Sequence, residues 1–391
     1  MRRPDRLQRL ACATLLVLAA CEAVPDAAAP EPPQVVDPTE LVALVGGFGT
    51  ANRLAFVAAE RGYRLESRDS LSGIGLEMLT LRLPPGVVPA DAIAALERRE
   101  PAATVGLNHA YRDAPRSSGA AATPRTYADA LLAWPAAGCP AQIPVGIIDT
   151  AIDPGAPGLR DVSITSRTIS ARTPAEGAEH ATAVAEVLAG PGRLRDARLY
   201  HAAVVGDVAD ADPAAGVDDI MRAIDWLFDQ GVRVVNVSLA GPYNKILDRG
   251  LHAAADRGMV IVAAAGNDGA GAPPRYPAAF DFVIAVTAVD ADLRAYDRAP
   301  RGDHIDFAAP GVDVFVPVGG GRYLTGTSIS APFVTALIAA DPASRNLRSA
   351  REARDNLSRS TLDLGAIGRD DIFGTGLATT RSPCRDATAP S

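Results

Sequence analysis

Residues 232–267 read VRVVNVSLAGPYNKILDRGLHAAADRGMVIVAAAGN, and the spacing of their apolar residues changes twice. Val232–Val237 and Met259–Ala264 are nearly continuous apolar runs, which is typical of strands buried on both faces. Between them, Leu247 and Leu251 recur at the spacing of one helical face. Parallel neighbouring strands need a crossover of this kind, usually a helix. The stretch therefore predicts two parallel strands joined by a helix.

The same alternation continues on both sides of this stretch. Ile143–Ile148, Arg198–Val205 and Val283–Val289 are further apolar runs, and Ile220–Phe228 carries apolar residues on one helical face. Continuous apolar strands separated by helices indicate a parallel sheet covered on both faces. We predict an α/β domain with a doubly wound parallel sheet over residues 128–391. Ligands of such domains bind at the carboxyl ends of the strands.

Residues 39–112 have shorter elements in another order. Helices are predicted between Thr50 and Gly62 and over Pro89–Arg99. Four short runs are predicted strands: Leu41–Val45, Tyr63–Leu71, Leu79–Leu83 and Val105–His109. The order β-α-β-β-α-β predicts a small ferredoxin-like α+β domain. Residues 113–127 are mostly small or polar and form a predicted linker, where a protease can cut.

The N-terminus has the pattern of an export signal. Four arginines precede the apolar stretch Leu10–Ala20, which is too short to span a bilayer. Residues 18–21, LAAC, resemble the bacterial lipobox, in which the cysteine becomes the lipidated first residue of the mature protein. We expect a signal peptide over residues 1–20, lipidation of Cys21 and a tether over residues 21–38. An ordinary signal peptide with an incidental Cys21 is the alternative.

The four cysteines predict one disulfide. Cys12 would be removed with the signal peptide and Cys21 acylated, which leaves Cys139 and Cys384. In an oxidising exported compartment, two remaining thiols are more often bridged than free. We therefore predict a bond between them, near the two ends of the α/β domain.

The charge pattern excludes some classes of partner. The chain has 38 Lys and Arg residues against 46 Asp and Glu residues, a formal net charge of −8. Binding to nucleic acid through phosphates needs clustered basic residues, so we expect no nucleic-acid partner. No acidic cluster has the spacing of calcium ligands, and we predict neither a metal nor another cofactor.

Three reactive side chains lie where predicted strands end or helices begin. Asp149 ends the strand of VGIID, His180 begins the helix HATAVAEVLAG, and Ser328 begins the helix SISAPFV. An imidazole can take the proton of a serine nucleophile, and a carboxylate can fix the imidazole tautomer. Asn267, in AAAGNDG, is a candidate donor to an oxyanion. Each residue taken singly has a structural alternative as a helix cap or turn residue.

Five segments in this chain order resemble the successive motifs of the subtilisin family of serine proteases: VGIIDTAID, HATAVAEVLAG, VNVSLAG, AAAGNDG and GTSISAPFV. The likeness covers about residues 128–380. It implies that Asp149 is the orienting acid, His180 the general base and acid, and Ser328 the nucleophile. Asn267 and the Ser328 N–H would form the oxyanion hole. The implied activity is that of a serine endopeptidase that forms an acyl-enzyme with a protein or peptide substrate.

The resemblance also implies two substrate-binding segments. One is the strand that pairs with an extended peptide, and the other is a wall of the primary specificity pocket, whose small residues leave room for a sizeable apolar side chain. Their residues are Ser238, Leu239 and Ala240 in the first segment and Ala264, Ala265 and Gly266 in the second. Ala181, Ser330 and Phe333 depart from the usual Gly, Ala and His of the family. We expect the changes at Ser330 and Phe333 to be tolerated, because neither position performs a chemical step. The added methyl of Ala181 could crowd the neighbouring backbone, although Ala is the better helix former.

The domain over residues 39–112 resembles the inhibitory propeptide of the family. Its last segment, Leu107–Arg112, and the linker after it would then block the cleft. We expect a monomeric zymogen in the bacterial cell envelope, lipid-anchored to a membrane and facing the periplasm or the exterior.

Two other interpretations stay open at this point. The protein as a whole can be a catalytically silent relative that binds peptides or an envelope protein through residues 238–240. The N-terminal domain can be an unrelated binding module of the same fold. A serine esterase is disfavoured, because GTS is not the G-x-S-x-G elbow and the chain order of the three residues differs.

Overall fold

The structure, a computed structural model, describes residues 33–112, 116–120, 127–173, 177–209 and 211–380. The predicted signal peptide, Cys21, most of the tether and Cys384 lie outside these ranges. No helix among the described residues is long and apolar enough to cross a membrane.

The N-terminal unit has two helices on a four-stranded antiparallel sheet with strand order β2-β3-β1-β4. Its elements are β1 (Glu40–Val45), α1 (Phe48–Glu60), β2 (Arg64–Leu71), β3 (Leu76–Arg82), α2 (Pro89–Arg99) and β4 (Thr104–Leu107). Leu41, Ala43 and Val45 alternate inward from β1 onto α1 and α2. The small α+β fold predicted from the sequence is confirmed.

The next segments connect this unit to the larger one. They are β5 (Ala110–Tyr111), β6 (Arg116–Ala120), α3 (Tyr127–Leu132) and β7 (Cys139–Pro140). Residues 116–120 were predicted as linker but form a strand, because their backbone pairs with a strand more than 200 residues later (β19 below). Small polar residues carry no apolar alternation, so the sequence alone did not indicate this strand.

The larger unit is built on seven parallel strands in the order β17-β16-β15-β14-β8-β11-β9. Its remaining elements are β8 (Val145–Asp149), β9 (Ser163–Thr168), α4 (Glu179–Ala189), β10 (Leu194–Arg195), β11 (Arg198–Ala203), β12 (Val205–Val208), β13 (Ala211–Gly216), α5 (Val217–Asp229), β14 (Val234–Val237), α6 (Lys245–Asp256), β15 (Val260–Ala264), β16 (Ile284–Val289), β17 (Phe307–Pro310), β18 (Val314–Val316), β19 (Arg322–Thr325), α7 (Thr327–Ala340) and α8 (Ala350–Ser358). The predicted α/β class with a doubly wound parallel sheet is confirmed.

Helices cover both faces of this sheet. On one face, α4 and α7 pack into a core with side chains of β8, β14, β15 and β16. All fourteen residues of α7 are buried, as expected of a helix that is apolar around its whole circumference. On the other face, α5 and α6 pack between the sheet and the N-terminal unit, whose Val42, Leu44 and Met78 join the same core.

Candidate active site

The side chains of Asp149, His180 and Ser328 lie together at the carboxyl end of β8. Asp149 is the last residue of β8, and His180 and Ser328 are the second residues of α4 and α7. His180 Nδ1 lies 2.7 Å from Asp149 Oδ1, and His180 Nε2 lies 3.1 Å from Ser328 Oγ. Asp149 is fully buried, and Ser328 is 1% exposed. The fold thus brings together a carboxylate, an imidazole and a hydroxyl in one hydrogen-bonded line.

The direction of these hydrogen bonds follows from the chemistry of the groups. The Asp149 carboxylate can only accept, so His180 Nδ1 carries the proton between them. In the neutral imidazole, Nε2 is then the acceptor that faces the Ser328 hydroxyl. Thr150 N–H donates to the same Asp149 oxygen at 2.6 Å. The arrangement leaves the imidazole ready to take a proton from Ser328.

Ser328 is held by the first turn of α7 and by a neighbouring strand end. The N–H groups of a helix's first turn have no intrahelical acceptor, so the Ser328 N–H belongs to a set that can face an anion. Ser238 Oγ donates to the Ser328 carbonyl at 3.2 Å, and Asn236 Nδ2 donates to Ser238 Oγ at 2.8 Å. These buried contacts fix the backbone that carries the hydroxyl.

Asn267 contacts the same helix start. Its Oδ1 accepts from Thr327 N–H at 3.0 Å, with Thr327 Oγ1 at 3.2 Å. With Oδ1 on Thr327, Nδ2 is the donor end of the amide. Asn267 therefore lies beside the start of α7, with its orientation set by Thr327.

The predicted peptide-pairing segment follows directly after β14. Ala240 accepts from Arg112 N–H at 3.0 Å and donates back to the Arg112 carbonyl at 2.9 Å. Residues 110–111 pair on their other side with Ala215 and Gly216 of β13. An extended stretch of this chain's own N-terminal part thus lies between two strand edges of the cleft.

The second predicted binding segment lies at the end of β15. Ala264 and Ala265 are buried, and Gly266 adopts a φ of +113°, which favours glycine. Gly266 N–H donates to Thr327 Oγ1 at 3.0 Å, and that hydroxyl lies 3.0 Å from the Gly266 carbonyl. The segment is thereby tied to the start of α7.

The three departures from the family pattern are accommodated by local contacts. Ala181 is fully buried, and its N–H donates to Thr150 Oγ1 at 3.2 Å. Ser330 Oγ donates to the Ala309 carbonyl at 3.2 Å. The guanidinium of Arg193 lies 4.9 Å from the centre of the Phe333 ring. None of these contacts displaces the imidazole or the hydroxyl.

The sequence did not indicate a role for Thr150 or Thr327. Thr150 contacts Asp149 and the start of α4 next to His180, and Thr327 contacts Asn267. A signal was present in both cases, because each hydroxyl residue directly adjoins a predicted site residue. A hydroxyl beside a predicted acid or nucleophile can bond to backbone that the fold brings near.

The described ranges hold no group of three or more His, Cys, Asp or Glu side chains placed to bind a metal ion. Cys139 is fully buried, and its predicted partner Cys384 lies outside the described residues.

Comparisons with known proteins agree in family and in fold. The chain matches the Subtilase family over residues 141–376. It is 30% identical over 274 residues to the minor extracellular protease Epr of Bacillus subtilis, which covers 65% of this chain and 40% of that relative. It is 32% identical over 238 residues to subtilisin DY of Bacillus licheniformis, which covers 58% of this chain and 85% of that protein. The chain thus spans about two fifths of the length of the first of these relatives.

The fold is similar to that of fervidolysin from Fervidobacterium pennivorans, described as a keratinolytic enzyme related to subtilisin. The TM-score is 0.70 at 18% sequence identity, and the match covers 89% of this chain and 61% of that one. At this identity the likeness concerns the fold alone. The family match, by contrast, extends over more than half of the chain, and this protein therefore belongs to the subtilase family.

Proposed function

We propose that the protein is a serine endopeptidase in which Asp149, His180 and Ser328 form the catalytic triad. The observation that carries the proposal is the pair of hydrogen bonds, 2.7 and 3.1 Å long, that joins the carboxylate to the imidazole and the imidazole to the hydroxyl. Three buried or nearly buried groups of these types in this order match the requirements of a nucleophilic serine.

The proposed reaction has two halves. Ser328 Oγ attacks the peptide carbonyl carbon while its proton moves to His180 Nε2, and Asp149 stabilises the imidazolium. The C–N bond then breaks, and the imidazolium gives its proton to the leaving amine. A water, deprotonated by His180, then attacks the acyl carbon, and His180 returns the proton to Ser328 Oγ as the C–O bond of the acyl-enzyme breaks. Asn267 Nδ2 and the Ser328 N–H would donate to the oxyanion in both halves.

The proposed substrate is a peptide bound as an extended strand. Residues 238–240 and β13 would pair with its backbone, since the same two edges already pair with residues 110–112. Backbone pairing recognises an extended chain without selecting its sequence. The small residues of 264–266 would leave room for an apolar side chain before the cut.

The N-terminal unit, residues 39–112, is the proposed autoinhibitory propeptide, with residues 113–127 as the region of processing. Arg112 pairs with Ala240 on one side of the cleft, and Arg116 of β6 pairs with Thr325 of β19, three residues before Ser328. The backbone before and after residues 113–115 is therefore paired with segments of the larger unit. A substrate cannot occupy the same strand edges at the same time.

Charged and polar contacts support the docking of this propeptide on α5 and α6. Arg222 forms an ion pair with Asp69 at 3.1 Å, and Lys245 forms one with Glu97 at 2.6 Å. Asn244 Nδ2 donates to the Leu107 carbonyl at 3.0 Å. Such contacts orient the unit, while the shared apolar core supplies most of the association energy.

The proposed setting is the bacterial cell envelope. The signal pattern of residues 1–20 and the lipobox-like LAAC support export and lipidation of Cys21. The lipid would be the membrane anchor of the unprocessed chain, because a cut after residue 112 separates Cys21 from the catalytic unit. The extracellular relative from Bacillus subtilis is consistent with export. A disulfide between Cys139 and Cys384 and a monomeric state without metal or cofactor complete the proposal.

The test is covalent labelling with a fluorophosphonate after expression of the full chain and of the Ser328→Ala variant. We expect the wild-type chain to be processed and labelled, and the variant to keep residues 39–112 and stay unlabelled, because only an activated serine reacts. A folded wild-type protein that neither labels nor hydrolyses a peptide would instead be a silent, peptide-binding relative.

A further inference from the structure

His201 lies buried behind the candidate active site and has no role in the reaction described above. It is the fourth residue of β11, between Ile147 of β8 and Ser166 of β9. Its side chain is fully buried. Nε2 lies 2.8 Å from the carbonyl oxygen of Thr150, and Nδ1 lies 2.9 Å from Ser166 Oγ. Both ring nitrogens therefore have a partner.

These partners fix the tautomer of the ring. A carbonyl oxygen can only accept, so Nε2 must carry the proton that is donated to Thr150. In the neutral ring, Nδ1 then accepts from the Ser166 hydroxyl. Burial lowers the pKa of His201, which favours this neutral form.

Thr150 links this buried ring to the acid and the base. Its N–H donates to Asp149 Oδ1 at 2.6 Å, and its Oγ1 accepts from Ala181 N–H at 3.2 Å, next to His180. A displacement of the Thr150 backbone would move all three groups, because its N–H, Oγ1 and carbonyl are carried by the same residue. The hydrogen bond from His201 to the carbonyl restrains this displacement.

We propose that His201 is a positioning residue, whose Nε2–H bond to the Thr150 carbonyl holds Asp149 and the start of α4 in line for catalysis. The proposal rests on the proposed serine-peptidase function. His201 touches neither the substrate strands nor the reacting atoms. Its loss should therefore act through the imidazole of His180 and leave peptide binding nearly unchanged.

The test compares His201→Gln with His201→Asn. Gln can carry an amide N–H to the position of Nε2, whereas the shorter Asn reaches only that of Nδ1. We expect Gln to keep kcat per titrated active site within about threefold of wild type, and Asn to lower it by about 10- to 100-fold with little change in KM.

The pH profile separates positioning from general damage. A looser Asp149 stabilises the His180 imidazolium less, so the acid limb of kcat/KM should move to lower pH in His201→Asn and not in His201→Gln. Leu199→Ala, two residues away on the same strand and in the core, is the control for lost stability. If His201→Asn matches this control in the acid limb and in kcat per titrated site, the proposal is wrong.

A measurement on the folded wild-type protein does not depend on any variant or on hydrolysis. The chain has five histidines, and ¹⁵N NMR of labelled imidazoles reports the tautomer of each. We expect His201 as the Nε2–H tautomer, and the Nδ1–H form would overturn the proposal. If Ser328 fails to react with a fluorophosphonate while His201 shows this tautomer, the proposed peptidase activity fails and the placement of His201 stands.

Discussion

At the residue scale, Asn267 shows how hydrogen bonds from neighbouring residues can fix the orientation of a neutral side chain. Its Oδ1 is held by Thr327 N–H, so the other end of the amide is the donor. Thr327 in turn contacts Gly266 through its hydroxyl. A donor whose orientation is fixed before substrate arrives needs no reorganisation when negative charge develops on the carbonyl oxygen.

Replacing Asn267 by Ala should therefore slow the chemical step. We expect kcat to fall by about 10²- to 10³-fold with KM within about twofold of wild type, because the lost donor acts mainly on the transition state. Steady-state kinetics on a peptide substrate, normalised by active-site titration, measures both values. A rise in KM at unchanged kcat would assign Asn267 to substrate binding instead.

The sequence identified the three candidate catalytic residues but not the buried histidine that contacts Thr150. Asp149, His180 and Ser328 stood out because each is a reactive type at a predicted strand end or helix start, and their joint motifs resemble one family. His201 did not stand out, because a single histidine inside an apolar strand is more often a structural residue of the core than a functional one. Its role depends on which strands flank β11 in the sheet, and the strand order cannot be derived from the sequence alone.

At the element scale, long apolar runs predicted the sheet well, and short pairings were missed. β8, β14, β15 and β16 are buried on both faces, so each is a short, nearly continuous apolar run bounded by polar or small residues in the sequence. Short strands such as β5 and β6 form because a distant strand edge supplies the hydrogen bonds. Local sequence cannot specify a pairing that depends on a partner 100 or more residues away.

Helix α5 carries a titratable contact to the N-terminal unit. Asp225 Oδ1 accepts from Ile74 N–H at 3.2 Å. Burial raises the pKa of Asp225 from 3.8 to about 6. A carboxyl with a raised pKa favours the folded state most when it is protonated, and this contribution is lost as the pH rises through about 6.

We expect Asp225→Asn to remove this pH dependence, since an amide keeps an acceptor for Ile74 and does not titrate. In an unprocessed Ser328→Ala background, the variant should gain about 2–4 °C in Tm relative to its parent between pH 4 and pH 7. Thermal unfolding at several pH values measures the difference. Asp292→Asn, at a side chain that is 68% exposed and faces Arg294, which stays charged over this range, should show no such gain. A difference for Asp225→Asn that stays constant with pH would contradict the prediction.

At the scale of the whole molecule, the N-terminal part of the chain pairs with two segments next to the candidate active site. Arg112 pairs with Ala240 and Arg116 with Thr325, and Ser328 lies three residues beyond Thr325. Four peptide bonds lie between residues 112 and 116. A cut at one of these bonds would separate the proposed propeptide from the larger unit.

We therefore expect the mature protein to begin at a residue between 113 and 116. The strand pairings on either side hold the flanking backbone, so only the bonds between them can come near Ser328 in the intact chain. N-terminal sequencing of protein purified after expression of the full chain locates the cut, and Ser328→Ala should keep the upstream residues. A mature terminus outside residues 113–116 would mean that the chain shifts register before it is cut, or that another protease does the cutting. Treating Ser328→Ala with a small amount of mature wild-type enzyme separates these cases, because a self-processing enzyme would produce the same terminus in trans.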